Sequence, residues 1–251
     1  MNVLRKISES VFLILMALFV FSCTPGGDIF DDDKESSDTG VENNGTSSGD
    51  DKGNVHKGHE WVDLGLPSGI KWATCNVGAT KPEEYGGYYA WGETEERDEY
   101  NWLNYKWGDA NGKYTKYCSS PLQGVVDNKM ILEPEDDVAH VEWGGKWRMP
   151  TGDETLELSE ECIWDWTSLN DVKGMLVTGP NGNSIFLPAA GCYYSFSLVN
   201  EQNRGYYWSS SLVHYSSGHP FTIYFSNGNS HNCLHDYLRS NNGFTVRPVC
   251  E

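Results

Sequence analysis

Apolar and aromatic residues after position 55 come in short runs, interrupted by Gly, Ser, Asn and Pro. Trp61–Leu64 and Ile70–Ala73 read as strands around the turn Leu66-Pro67-Ser68-Gly69, and Gly87–Trp91 reads as another. Further runs follow at Trp164–Ser168, Gly174–Thr178, Ser184–Leu187, Tyr206–Ser211, Thr222–Ser226 and Phe244–Val249. Aromatic and β-branched residues suit a pleated surface, and the intervening segments supply turns. Asn111-Gly112 and Gly179-Pro180-Asn181-Gly182 are the clearest turns. Two stretches read as helices. Pro134 to Val141 starts with Glu135, Asp136 and Asp137, which suit an N-terminal dipole. Thr151-Gly152-Asp153-Glu154 has the Thr-x-x-Glu form of a capping box, followed by a thin apolar face of Leu158 and Cys162. Many short strands with two short helices predict an α+β fold with short antiparallel strands, not a parallel βαβ sheet.

Residues 1–22 have a different pattern. Arg5 and Lys6 precede the apolar run Val11–Phe21, which is too short to span a bilayer and ends at Ser22-Cys23. The order is that of a secretory signal peptide, and Val20-Phe21-Ser22-Cys23 resembles a bacterial lipoprotein signal in which Cys23 becomes the lipid-attachment residue. Residues 23–54 then form a lipid-anchored acidic linker. Nine Asp and Glu face two Lys there, and Ile29, Phe30 and Val41 are the sizeable apolar residues. Such a segment cannot bury enough surface to offset its ordering entropy, so a flexible tether is expected. The acidic cluster Asp31–Glu35 resembles surface-export signals of Gram-negative lipoproteins, which implies an outer-membrane, surface-exposed location. Residues 55–251 are read as one domain.

Charge narrows the classes of partner. The net charge of −18 argues against nucleic acid, whose phosphates need clustered Lys and Arg. Six cysteines remain after Cys23, namely Cys75, Cys118, Cys162, Cys192, Cys233 and Cys250. None is spaced as CxxC, so no zinc ribbon is indicated, and both disulfides and buried thiols stay open.

The segment Gly205–Asn242 has its own composition. Ser, Asn, Tyr and His fill 22 of its 38 positions, and only Asp236 and Arg239 are charged. Rigid aromatic area with short hydrogen-bonding groups is what an adaptable recognition surface uses, although hairpin loops are also Ser/Asn/Gly-rich. Tyr207, His214, Tyr215, His219, Asn229, His231, His235 and Tyr237 are the candidate ligand-binding residues. No metal site is expected. His231 and His235 would lie too far apart on a strand to share an ion, and Glu133-Pro134-Glu135 lacks the Asn of a calcium-binding Glu-Pro-Asn. Trp61, Trp72, Trp91, Trp143, Trp147 and Trp208 are expected in the core, with Trp164 and Trp166 facing inward together. Trp102 and Trp107, in the polar stretch Gly92–Ser120, are better candidates for stacking platforms than the others, although the core is the commoner home for both.

Six blocks carry a family resemblance: Val62–Ala79, Tyr88–Glu93, Glu135–Thr151, Val177–Gly191, Tyr206–Ser211 and Gly243–Cys250. In this order they resemble the fibrobacter-type major paralogous domain, similar in fold to C-type lectin-like domains and more distantly to formylglycine-generating enzymes. The resemblance implies a scaffold whose first and last strands, here Trp61–Leu64 and Phe244–Val249, pair, and whose late loops form a display surface. Trp147–Thr151 and Glu154 match a block shared with formylglycine-generating enzymes, whose chemistry needs a close C-terminal cysteine pair. This chain has Cys233 and then Cys250. The expectation is a non-enzymatic recognition lipoprotein with no cofactor, held to the membrane by its lipid and binding a glycan or cell-surface protein. The alternatives are a structural or capping subunit of a surface assembly, or an enzyme related to formylglycine-generating enzymes.

Overall fold

Glycine-bounded apolar runs fold as short strands collected into small antiparallel sheets. The structure is a computed structural model and describes residues 53–213, 218–227, 230–234 and 238–251. In chain order the strands are β1 (Val55–His56), β2 (His59–Asp63) and β3 (Lys71–Ala73), followed by helices α1 (Val138–Trp143) and α2 (Gly152–Glu161). Next come β4 (Ile163–Leu169), β5 (Val172–Thr178), β6 (Ser184–Pro188), β7 (Cys192–Tyr194) and β8 (Ser197–Val199). The chain ends with β9 (Arg204–Leu212), β10 (Pro220–Ser226), β11 (Ser230–Leu234) and β12 (Val249–Cys250). The sheets are ordered β1-β2-β3-β12, β4-β5-β6, β7-β8 and β11-β10-β9, and every pairing is antiparallel. Small antiparallel sheets with two short helices make this an α+β fold.

β9 divides the core. Tyr206 and Trp208 point into one apolar cluster with Trp91, Trp147, Phe244 and Val246. Tyr207, between them, points into the other with Trp72, Leu158, Met175, Leu187 and Val249. Alternating directions along a strand therefore fill two cores from one run. β10 adds Ile223 and Phe225 to the second cluster, while Tyr224 packs on the first. Trp208 stacks on Phe244 with centroids 4.0 Å apart, and its Nε1 donates to Tyr89 O at 2.8 Å. Each such side chain contributes about 1.5–3 kcal/mol on burial.

α2 forms where the capping pattern places it. Thr151 Oγ1 accepts from Glu154 N at 3.3 Å, and Glu154 Oε2 accepts from Thr151 N at 2.7 Å. Glu154 also holds Arg148 in a fork, at 2.8 and 2.6 Å, which fastens the helix start to the preceding segment. Gly152, Thr155 and Leu158 are its buried face, and Cys162, also buried, is its C-cap.

Several expectations need correction. The C-terminal strand does not pair with Trp61–Leu64. It pairs with β3, Val249 opposite Trp72 and Cys250 opposite Lys71, while β2 takes the other edge of β3. Phe244–Val249 is not one strand. Phe244 bridges Tyr89, Thr245 bridges Tyr207, and Pro248, which has no N–H to donate, interrupts the run before β12. Gly87–Trp91 makes a single bridge at Tyr89 instead of a strand, between the positive-φ residues Gly86 and Gly92. The helix read over Pro134–Val141 divides into a 3-10 turn, Pro134–Asp136, and α1. Asp137 separates them with extended ψ and caps α1 through its carboxylate, which accepts from His140 N at 3.1 Å. Trp61 is half-buried, packed on the first cluster without entering it.

Cys75, Cys118, Cys162, Cys192 and Cys250 are free thiols. Burial pushes the Cys162 and Cys192 thiols up to about 11.

Candidate functional site

The segment 92–131 is irregular, yet its own tryptophans fix it. Trp107 Nε1 donates to Gly92 O at 2.9 Å, and Trp102 Nε1 donates to Asp109 O at 2.8 Å. A 3-10 turn, Trp102–Asn104, is capped by Asn101, whose Oδ1 accepts from Leu103 N and Asn104 N. The Asn111-Gly112 turn closes with Asp109 N donating to Lys113 O at 2.8 Å, and Gly112 takes the φ of 76° that the turn requires. Tyr114 then meets Trp102 edge-on at 4.9 Å, and the chain at Gln123–Val125 bonds to both sides of its backbone.

A charged brace holds this segment to the α1 end. Asp136, buried, accepts from Lys106 Nζ at 2.9 Å, Lys116 Nζ at 2.6 Å and Tyr117 Oη at 2.6 Å. Glu133 takes Lys116 and Lys129, each at 2.5 Å. Lys106 and Lys116 lie over the Trp107 ring at 4.4 and 4.7 Å. Burial would raise the Asp136 pKa, but the hydrogen bonds from Lys116, Tyr117 and Lys106 outweigh it and hold the carboxyl below its ordinary value. Glu133 and Asp136 are thus committed to lysines, and Trp107 serves the brace.

Where this segment meets the C-terminal loops it leaves a cleft of about 390 Å³. Trp102, Tyr114, Lys113 and Gln123 line it from one side, and His219 and Arg239 from the other. Its floor is tight. A Cβ at Gly218 would lie 1.7 Å from the Tyr114 hydroxyl oxygen, so only glycine fits under that ring. Ser240 N donates to Gly218 O at 3.3 Å, and Trp91 N donates to Ser240 O at 2.8 Å, which ties the floor to the first core cluster. Ser240 Oγ lies close to the Tyr105 and Tyr114 hydroxyls. It makes no well-formed hydrogen bond among the described residues, and neither does Asn241 Oδ1. Burial raises the Tyr114 pKa, so its hydroxyl stays protonated and can donate.

A second cleft, about 460 Å³, lies beside β2 and the end of α1, lined by His59, Glu60, Thr74, Cys75, Thr80 and Trp143. It is larger but less suited to binding. His59 covers the Trp143 ring, stacked at 3.7 Å, and no Lys or Arg lines it. Burial lowers the His59 pKa, so this ring favours its neutral form.

Of the residues singled out from the sequence, His219 lines the first cleft. Tyr207 is a correction. It is 0 % exposed, its hydroxyl donates to Pro188 O at 2.6 Å, and its ring stacks towards Phe225, so it faces the core. His231 falls in β11 opposite Phe225. Cys23, His214, Tyr215, Asn229, His235 and Tyr237 lie outside the described residues. Trp102, read as a stacking candidate, does line the cleft, half-buried. Lys113, Tyr114, Gln123 and Arg239 were not anticipated. The signal for Arg239 was present, since it is the one cation in Gly205–Asn242.

No group of three or more His, Cys, Asp or Glu among the described residues is arranged to hold a metal ion. No helix among them is long and apolar enough to cross a membrane. Comparisons with protein-family models, curated proteins and solved structures found no match to the chain.

Proposed function

We propose that this chain is a non-enzymatic lipoprotein, acylated at Cys23, held at the outer membrane and displayed at the cell surface. Its domain is of the C-type-lectin-like, fibrobacter major paralogous type, and it recognises a glycan or a cell-surface protein through its C-terminal loops. The observation that carries this reading is the cleft at those loops, where Trp102 and Tyr114 meet Arg239, Lys113, Gln123 and His219. A concave site with aromatic walls and a few convergent polar groups is the usual form of a recognition site. The Trp147–Glu154 block gives no separate argument for catalysis, because helix capping and the Arg148–Glu154 fork account for it.

A second reading, a subunit of a surface assembly, has one observation in its favour. Leu122, which lines the cleft, is 81 % exposed, and Leu103 and Val125, next in sequence to Trp102 and Gly124, are 84 % and 63 % exposed. Large apolar side chains left in water are a feature of contact surfaces.

The test is a binding screen of the full chain on glycan and cell-surface protein arrays, repeated with Trp102→Ala and Arg239→Gln. Selective binding that both variants weaken, with melting unchanged for the exposed Arg239→Gln, supports recognition. No selective binding, with another protein co-purifying at fixed stoichiometry, replaces it with the assembly reading. Wild-type chain found soluble after cell fractionation ends the claim of a lipid anchor.

A further inference from the structure

Resting on the recognition reading above, we propose that the cleft between Trp102 and Arg239 takes an acidic polypeptide segment, bearing aliphatic side chains, from a partner protein. Charge is the first argument. The chain has 36 Asp and Glu against 18 Lys and Arg, so a lining drawn at random would favour acids two to one. Among the described residues this lining holds Lys113 and Arg239 and no carboxylate. Neither cation makes an ion pair among the described residues. The Asp109 carboxylate is turned into its own loop, where it accepts from Lys113 N and Asn111 N, each at 2.8 Å. Lys113 Nζ donates to Leu122 O, which fixes the ammonium at the rim and leaves it further protons to donate. Arg239 is exposed, and a planar guanidinium there matches a carboxylate through two parallel hydrogen bonds.

Exposed aliphatic side chains separate a polypeptide from a saccharide. Leu122 lines the cleft, Leu103 follows Trp102, and Val125 follows the Gly124 that bridges Tyr114, all with side chains more than half exposed. Burying such area is favourable only against an apolar surface, at roughly 25 cal/mol per Å². An acidic sugar could pair with the cations and stack on the rings, but it would leave the Leu122 side chain in water. A polypeptide can use both. Trp, Tyr and Arg inside a partly apolar rim are the residue types on which protein interfaces concentrate their affinity.

The test is selection of a displayed random heptapeptide library on the immobilised full chain in detergent. Selected sequences should place Asp or Glu beside Leu, Ile, Val or Phe. A synthetic selected peptide should bind at least tenfold tighter than its version with Asn and Gln replacing Asp and Glu, and affinity should fall with added salt. It should bind at least tenfold more weakly to the double variant Lys113→Gln, Arg239→Gln, whose thermal melting should match wild type because both side chains are exposed. Leu122→Ser should weaken binding with the charges intact. A library with no enrichment, enrichment of neutral or basic peptides, or peptides indifferent to the double variant overturns the proposal. If the library stays flat while a glycan binds in a manner dependent on Trp102 and Arg239, recognition at the cleft stands and the polypeptide inference falls.

Discussion

Arg247 Nε donates to Asn76 Oδ1 at 2.8 Å, joining positions 171 residues apart, and both side chains are fully buried. The other guanidinium nitrogens donate to Ala73 O, Thr74 O and Phe186 O, at 2.9–3.1 Å. A single side chain thus binds the end of β3, the loop after it and β6, and no carboxylate pairs with it among the described residues. Neutral acceptors at four points satisfy a charge that would otherwise be costly to bury. Arg247→Lys keeps the charge but loses the fork, and it should destabilise the fold by about 3 kcal/mol or more in urea denaturation. A change under about 0.5 kcal/mol would show that this network contributes nothing.

The C-terminal residues should be indispensable to folding. Deleting 244–251 removes Phe244, Val246, Arg247 and Val249, each fully buried, and unpairs β12 from β3. Three apolar side chains at about 1.5–3 kcal/mol each rival the whole stability of a typical domain. The truncated chain should show no cooperative thermal transition by circular dichroism. A preserved transition would contradict the central place of β3.

Asp136 should govern part of the acid sensitivity. Its folded pKa lies below its ordinary value of 3.8, so the unfolded chain takes up the proton first as pH falls. The stabilisation is complete above that ordinary value and is lost as pH drops through the lower folded one. Asp136→Asn should therefore lower the Tm at neutral pH and flatten its decline as the pH falls through and below the ordinary carboxylate range. A variant with the wild-type slope would mean that the lysine brace contributes little.

The α2 start can be dissected in two steps. Thr151→Ala removes one cap and should cost about 1 kcal/mol. Glu154→Ala removes the reciprocal cap and the Arg148 fork, so it should cost more. Equal losses in chemical denaturation would show that the fork adds nothing.

Local patterns were legible where one residue type dictates one geometry. Thr151 and Glu154 announced their helix, and Gly179–Gly182 announced the β5–β6 turn, because capping and turn chemistry act over a few residues. Long-range placement was not legible. β3 is three residues long, and nothing in Lys71-Trp72-Ala73 says that it will sit between β2 and β12. Tyr207 was misread because a buried Tyr, whose hydroxyl finds a carbonyl, has the same composition as one facing a ligand. The cleft is not legible in the sequence because one wall comes from residues 102–123 and the other from His219 and Arg239, far along the chain. Lys113 and Tyr114 looked like ordinary flanks of an Asn-Gly turn.

The central claim is that recognition occurs at the cleft between residues 102–123 and the C-terminal loops, and hydrogen–deuterium exchange tests it most directly. The full chain would be measured alone and with a saturating peptide or glycan taken from the screens. The account predicts slowed exchange in peptides covering 102–125, 218–220 and 238–242, with little change elsewhere in the domain. Protection confined to His59–Glu60, Thr74–Thr80 and Trp143 would place binding in the other cleft and contradict it.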